Sequence, residues 1–210
     1  AEMIELLIFI KHRFAFIWRL AEGINNIVFS ALYIRRLNDV IIQVFSDVSH
    51  NPFSYRILKL ADSEILSNMI SAQPEEDLQY FHPHGLDPGS VRKQFGKDAF
   101  LMMGVFDGNK IVGYFFLRFF FTRKCFVGRL IDKPYRGKGI GNNMNHIMYE
   151  IAWRMKFRCL STISKNNKAV MKAHAKNSEI IILKELQNDY LLVEFIRQEL
   201  CFSDNKGISN

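Results

Sequence analysis

The stretch "IDKPYRGKGIGNNM", Ile131 to Met144, places Gly137, Gly139 and Gly141 at alternate positions between a proline-broken basic approach and the first turn of a helical run. The segment leading into it, "KCFVGRLID", has the apolar content of a strand. A strand that ends in a glycine-rich turn opening a helix is a phosphate site in physical terms. Backbone N–H groups of the turn and first helical turn lack partners in the chain, and the helix dipole favours an anion there. Glycine lets the backbone approach closely and adopt positive φ. The dinucleotide spacing G-x-G-x-x-G fails, because the sixth position from Gly137 is Asn142, and no G-x-x-x-x-G-K-[ST] occurs in the chain.

Outward from this stretch the pattern alternates. Before it, "YRILKL" reads as a strand, "EILSNMIS" as a helix capped by Ala61-Asp62-Ser63, "FHPHGLDPGS" as a loop and "SVRKQFGKD" as a short helix. "AFLMMGVF" and "IVGYFFLRFFF" flank the turn at Asp107-Gly108 as a hairpin. After it come a helix in "NNMNHIMYEIAWRM", a strand in "RCLSTI", a helix in "NKAVMKAHAK", and strands in "EIIILKEL" and "YLLVEFI". The order β-α-α-β-β-β-α-β-α-β-β predicts a mixed α/β (α+β) domain built on one sheet. Residues 1–50 differ. They contain no proline before Pro52 and one glycine, and their apolar spacing predicts two or three helices broken near Gly23-Ile24-Asn25-Asn26. The expected organisation is a helical N-terminal extension over 1–50, the α/β domain over 51–200 and a flexible tail over 201–210.

The run Arg136-Gly137-Lys138-Gly139-Ile140-Gly141 is R-x-x-G-x-G, and it resembles the acetyl-CoA pyrophosphate loop of the GNAT family of N-acetyltransferases. The element order is similar to the family's, with this loop between the fourth strand and the following helix. Asn167 to His174, "NKAVMKAH", resembles the family pattern N-x-x-[SA]-x-x-[LA]-[YH] except at Val170, and the Gly-Phe that often follows is replaced by Asn177 and Ser178. The resemblance covers about residues 55–199. It implies a mostly antiparallel sheet flanked by helices, and an acetyltransferase that uses acetyl-CoA as cosubstrate and no metal. It further implies that backbone N–H groups from Arg136 through Gly137, Lys138, Gly139, Ile140 and Gly141 to Asn142 hold the pyrophosphate, and that the N–H of Ile131 polarises the thioester carbonyl. Asn167 would bond the pantetheine arm, and Lys138, Lys172 and Lys176 would face the 3′-phosphate.

Charge agrees with an anionic ligand. The net charge is +7, yet Val91 to Lys176 alone holds 18 Lys and Arg against four acidic residues, so the surplus surrounds the glycines. A phosphorylated cofactor accounts for that surplus, and no nucleic-acid motif is present. Cys125, Cys159 and Cys201 lie far apart with no C-x-x-C pair, which argues against a zinc cluster and suits a reducing cytoplasm. No apolar run reaches the ~20 residues of a membrane span. The apolar residues of 1–48 predict burial against the domain or in a homodimer formed through these helices, with peripheral membrane contact the lesser alternative because five acidic and five basic residues balance there.

Direct N-acetyl transfer needs a neutral amine, a polarised thioester and a proton for the leaving thiolate. His174 stands where the family often puts a tyrosine that donates to the CoA sulfur, so it is the candidate acid. Asp132, directly after the fourth strand, and His82, His84 and Asp87 in "YFHPHGLD" are the candidate bases. His82 and Arg118 are candidate acceptor contacts. Arg118, lying in the aromatic run of Phe115 to Phe121, suggests a small-molecule primary amine such as an amino sugar or a nucleotide-linked amino sugar. The alternatives are a lysine or N-terminal protein acetyltransferase and a non-catalytic acyl-CoA-binding regulatory module.

Overall fold

A computed structural model describes residues 15–48, 52–81, 83–167, 170–171, 174 and 178–197. Among the described residues one helix, α1 (Ala15–Ser46), precedes the sheet. Seven strands follow: β1 (Ser54–Ile57), β2 (Phe100–Asp107), β3 (Lys110–Phe120), β4 (Lys124–Ile131), β5 (Arg158–Ser164), β6 (Glu179–Leu186) and β7 (Tyr190–Ile196). Between β1 and β2 lie α2 (Ser63–Ser71), α3 (Glu75–Leu78) and α4 (Pro88–Arg92), and between β4 and β5 lies α5 (Ile140–Arg154). Val170, Met171 and His174 are also helical. The strand order is β1-β2-β3-β4-β5-β7-β6, and every pairing is antiparallel except β4 with β5. The mixed, mostly antiparallel sheet expected from the sequence is therefore present.

Strand alternation divides the core. Phe115, Leu117 and Phe119 of β3 pack toward α1 and α5, whereas Tyr114 and Phe116 pack toward α2 and α4 with Leu66, Ile70 and Val91. Both faces of β3 are covered, which is why its aromatic run shows no polar alternation. Helices on both sides give three layers, with the glycine loop and α5 on one face and α2–α4 on the other.

Residues 15–46 form a single 32-residue helix, unbroken near Gly23 to Asn26 where the spacing of residues 1–48 predicts a break; residues 1–14 lie outside the described residues. Asn25 and Asn26 do not break it, because their side chains bond the sheet's own backbone. Asn25 Nδ2 donates to the Phe119 carbonyl at 2.9 Å, Asn25 Oδ1 accepts from Phe121 N–H at 3.0 Å, and Asn26 Oδ1 accepts from Ala99 N–H at 3.0 Å. These amides satisfy backbone groups where β3 ends, so they dock the helix instead of competing with it. Phe29, Leu37, Val40, Ile41 and Val44 of α1 belong to the same core as β3 and α5. The opposite side of the helix exposes Ile17, Leu20, Ile24 and Ile27. No helix among the described residues is long and apolar enough to cross a membrane.

Candidate functional site

β4 and β5 run parallel only where Lys124, Cys125 and Phe126 face Arg158, Cys159 and Leu160. Beyond that the strands part, with the Ser161 hydroxyl donating to the Val127 carbonyl at 3.2 Å where the ladder stops. β5 stays paired with β7 to Ser164 and β4 with β3 to Ile131. The carboxyl ends of two parallel strands thus bound a gap, the place where sheets of this kind take ligands. The N–H of Asp132 donates to the Val112 carbonyl at 3.0 Å. By alternation the N–H of Ile131 points away from β3, into the gap.

The glycine loop closes one side of the gap. Gly137 and Gly139 have φ of 78° and 83°, in the left-handed region, and Gly139 is the N-cap of α5. A Cβ on either would meet nothing within 4 Å, so backbone conformation and not crowding requires glycine there. Gly141 differs, since a Cβ on it would lie 2.7 Å from Arg129 Nη1. Among the described residues the N–H groups of 137–141 have no acceptor, while those of Asn142 and Asn143 reach the Gly139 carbonyl at 3.0 and 3.5 Å. Five free donors at the positive end of a 15-residue helix form an anion cradle. In front of it lies a cavity of about 200 Å³ lined by Pro52, Phe53, Tyr55, Lys138, Gly139, Asn142 and Asn143.

Arg136 has a positioning part in this arrangement. Its guanidinium takes Asp77 of α3 in a two-pronged pair at 2.9 Å each, and its Nε donates to the Ile131 carbonyl at 3.1 Å, which fixes the start of the loop against the end of β4. Lys138 covers the Tyr135 ring at 4.6 Å and has no carboxylate partner among the described residues. Much of the positive surplus read from the sequence is matched by acids from elsewhere in the chain: Arg118 and Lys97 by Glu22, Arg154 by Asp47, Arg158 by Glu194, Lys165 by Glu185. Arg129, which the sequence reading did not single out, is a second exception close to the loop. Burial lowers its pKa, its Nε donates to Asn145 Oδ1 at 2.8 Å, and no carboxylate faces it among the described residues. A charge inside an otherwise apolar strand is the signal that could have found it.

The structure gathers some candidates and not others. Ile131, Arg136 through Asn142, and Asp132 surround the gap. Asp132 points to the α2 face, where Gln73 Nε2 donates to its Oδ1 at 3.0 Å and Lys110 Nζ lies 3.4 Å from its Oδ2. His84 is on the same face. Its Nδ1–H donates to the Gly85 carbonyl at 2.7 Å and its Nε2 accepts from the Tyr114 hydroxyl at 3.1 Å, while burial lowers its pKa. Its proton-accepting nitrogen is thereby already engaged. Asn167 Oδ1 caps the segment that follows β5, accepting from Val170 N–H at 3.2 Å. Lys172 and His82 lie outside the described residues.

Two candidates need correction. Arg118 is opposite Phe126, five residues along β3 from Gly113, the neighbour of Ile131, or roughly 16 Å away. There it pairs with Glu22 of α1 at a separate cavity of about 240 Å³, so it does not face the gap. His174 is only 4% exposed, stacked on Phe195 at 4.6 Å and hydrogen-bonded through Nδ1 to the Tyr149 hydroxyl. Burial first, and then the charge of Arg129, push its pKa down to about 3. It is a neutral core imidazole near pH 7 and holds no proton to give as an imidazolium. Tyr149 is fully buried as its partner.

Gln73, 6% exposed, is the other residue that sequence reasoning missed. Its Nε2 also donates to the Met69 carbonyl at 3.1 Å, and its buried Oε1 has no partner among the described residues. Such an orphan costs about 1–3 kcal/mol.

Comparison with known proteins follows the same lines. The model of the "Acetyltransferase (GNAT) family" matches residues 66–178, more than half of the chain. The GNAT domain of S. lividans PAT superposes with a TM-score of 0.57 at 14% identity, over 67% of this chain and 88% of that one. The ribosomal-protein-S5-alanine acetyltransferase from Vibrio fischeri gives 0.56 at 15%, over 72% and 97%. Aminoglycoside acetyltransferase AAC(6')-Ib, in complex with coenzyme A and kanamycin, gives 0.55 at 11%, over 70% and 95%. At these identities the likeness is one of fold. No curated protein matches the chain.

Proposed function

The chain belongs to the acetyltransferase (GNAT) family, and from that premise we propose that it moves the acetyl group of acetyl-CoA to the primary amine of a small cationic acceptor. The observation that carries this reading is the parted end of β4 and β5 beside five unpaired N–H groups. Those groups, from Gly137 to Gly141, would hold the CoA pyrophosphate, with Arg129 beneath and Lys138 at the rim adding positive charge. The Ile131 N–H would bond the thioester carbonyl and stabilise the oxyanion as the amine attacks. Asn167 would stand beside the pantetheine arm at the end of β5. The departing thiolate, with a thiol pKa near 8.5, can take its proton from water, so His174 has no part in the chemistry.

A small acceptor is favoured over a peptide because Phe81 packs edge-on against Tyr114 and Phe116, and His84 against Phe100, so that residues 81 and 84 hold their loop down across the α2 face. A cationic acceptor is favoured because the carboxylate at the end of β4, on the α2 face, is Asp132. An amino sugar fits that description, as kanamycin does for the aminoglycoside acetyltransferase. A nucleotide-linked sugar loses its main support with the displacement of Arg118. Cys125 and Cys159 face each other in register as free thiols, which fits a reducing cytoplasm. The helix Ala15–Ser46 acts in this reading as part of the domain and not as an appendage.

Gly139→Val tests the cradle. Valine cannot hold φ near 83° without strain, so the loop must rearrange and its donors lose their common focus. Calorimetry should show acetyl-CoA binding weakened about ten-fold or more, ~1.4 kcal/mol, and thiol release with an amino-sugar and polyamine panel should fall with it. Unchanged affinity in a folded variant excludes the cradle as the CoA site.

A further inference from the structure

We propose that Gln73 is a positioning residue for amine transfer: it holds the Asp132 carboxylate at the end of β4 so that this group receives the acceptor's amine and takes the N–H proton released as the new C–N bond forms. The inference rests on the transferase reading above and adds to it the residue that sets the acceptor side.

Gln73 lies just past the C-cap of α2, and its side chain reaches across to β4. Its orientation is determined by its neighbours. Nε2 contacts the Met69 carbonyl and Asp132 Oδ1, both acceptors, and turning the amide over would set an oxygen against two oxygens. The cost of that orientation is the buried Oε1, which has no partner among the described residues. An apolar side chain of the same length would avoid the orphan, so packing does not explain the amide. What the amide does is donate to one carboxylate oxygen of Asp132. The other oxygen faces Lys110, whose side chain is 60% exposed and free to swing away when a cation arrives.

The placement suits the reaction. Ile131 turns its N–H into the gap, and the next residue turns its carboxylate to the face opposite α5. Cosubstrate and acceptor therefore reach the end of β4 from opposite sides. The acceptor first loses one proton to solvent. The amine nitrogen then bonds the thioester carbon, the adduct's N–H proton passes to Asp132, and the C–S bond breaks with its electron pair leaving on sulfur. Asp132 afterwards returns its proton to water. A carboxylate able to tilt would serve poorly, since proton transfer demands hydrogen-bond reach.

Gln73→Met and Gln73→Leu test this. Each removes both the donor and the orphan, so melting temperature and acetyl-CoA affinity should stay level or rise. The kcat/KM for the amine should fall about ten-fold or more. The loss should fall on kcat and on the KM for the amine while the KM for acetyl-CoA stays level. In an Asp132→Asn background the same substitutions should have little further effect. Full activity, or an equal loss with and without Asp132, overturns the role of Gln73 while leaving the transferase standing. A parent protein that binds acetyl-CoA but releases no thiol with any amine overturns both.

Discussion

Phe29→Ala should lower the unfolding free energy by about 3–5 kcal/mol, a large share of the roughly 5–15 kcal/mol typical of a domain. The ring is completely buried, stacked on Phe119 at 4.9 Å and set edge-on to Phe157 at 6.1 Å, so its loss leaves a cavity bounded by α1, β3 and the start of β5. Around it the helix is held by polar contacts that do not depend on the ring: the Asn25 and Asn26 amides, and Arg36 donating to the Arg154 carbonyl at the far end of α5. The helix should therefore stay docked while its core contact weakens, and urea titration should show one cooperative transition at lower denaturant. Ile27→Ala, on the same helix but 70% exposed, should change stability by less than about 0.5 kcal/mol. Equal and small effects at both positions would mean that α1 is an appendage. Removal of residues 1–48 should be worse than Phe29→Ala, exposing the apolar face of β3 and α5 and giving aggregated protein.

The contrast between α1 and the glycine loop shows which features a sequence can carry. The loop was legible because everything that defines it is local: three glycines, the strand before and the helix after, within 14 residues. The continuity of α1 was not. Gly23, Asn25 and Asn26 weaken a helix taken alone, and the groups that make the asparagines useful belong to residues 99, 119 and 121, far along the chain. The charge surplus failed for a related reason. Composition located 18 cations between Val91 and Lys176, but most of the carboxylates that meet them come from α1, the α2–α3 region and the last two strands. Arg118 looked free in its own aromatic stretch and is paired across the fold with Glu22. Gln73 is the opposite case, an inconspicuous residue in its own segment that becomes informative only beside Asp132.

The stability of this protein should rise with pH between about 3 and 6.5, and His174 should be a principal cause. Its folded pKa is about 3 against an unfolded value near 6.5, because burial, and then Arg129, disfavour the imidazolium. In that window the unfolded chain binds a proton that the folded chain does not, so stability is complete above pH 6.5 and declines as the pH falls toward 3. At pH 5 the loss is on the order of 2 kcal/mol. His84, also lowered by burial, adds to the slope with the same sign. His174→Phe separates the two. Phenylalanine keeps the stack on Phe195 but deprives the Tyr149 hydroxyl of its acceptor, so the variant should be less stable at pH 7 by about 1–3 kcal/mol. Having nothing to titrate, it should then lose less on acidification, and the two curves should converge toward pH 5. The same substitution should leave the alkaline limb of the acetyl-transfer profile in place, since an imidazole that is neutral at all working pH values cannot be the acid that limb would report. Parallel denaturation curves at pH 7 and pH 5 would show that His174 is charged in the fold, and a vanished alkaline limb in a folded variant would restore it as the group that protonates the CoA sulfur.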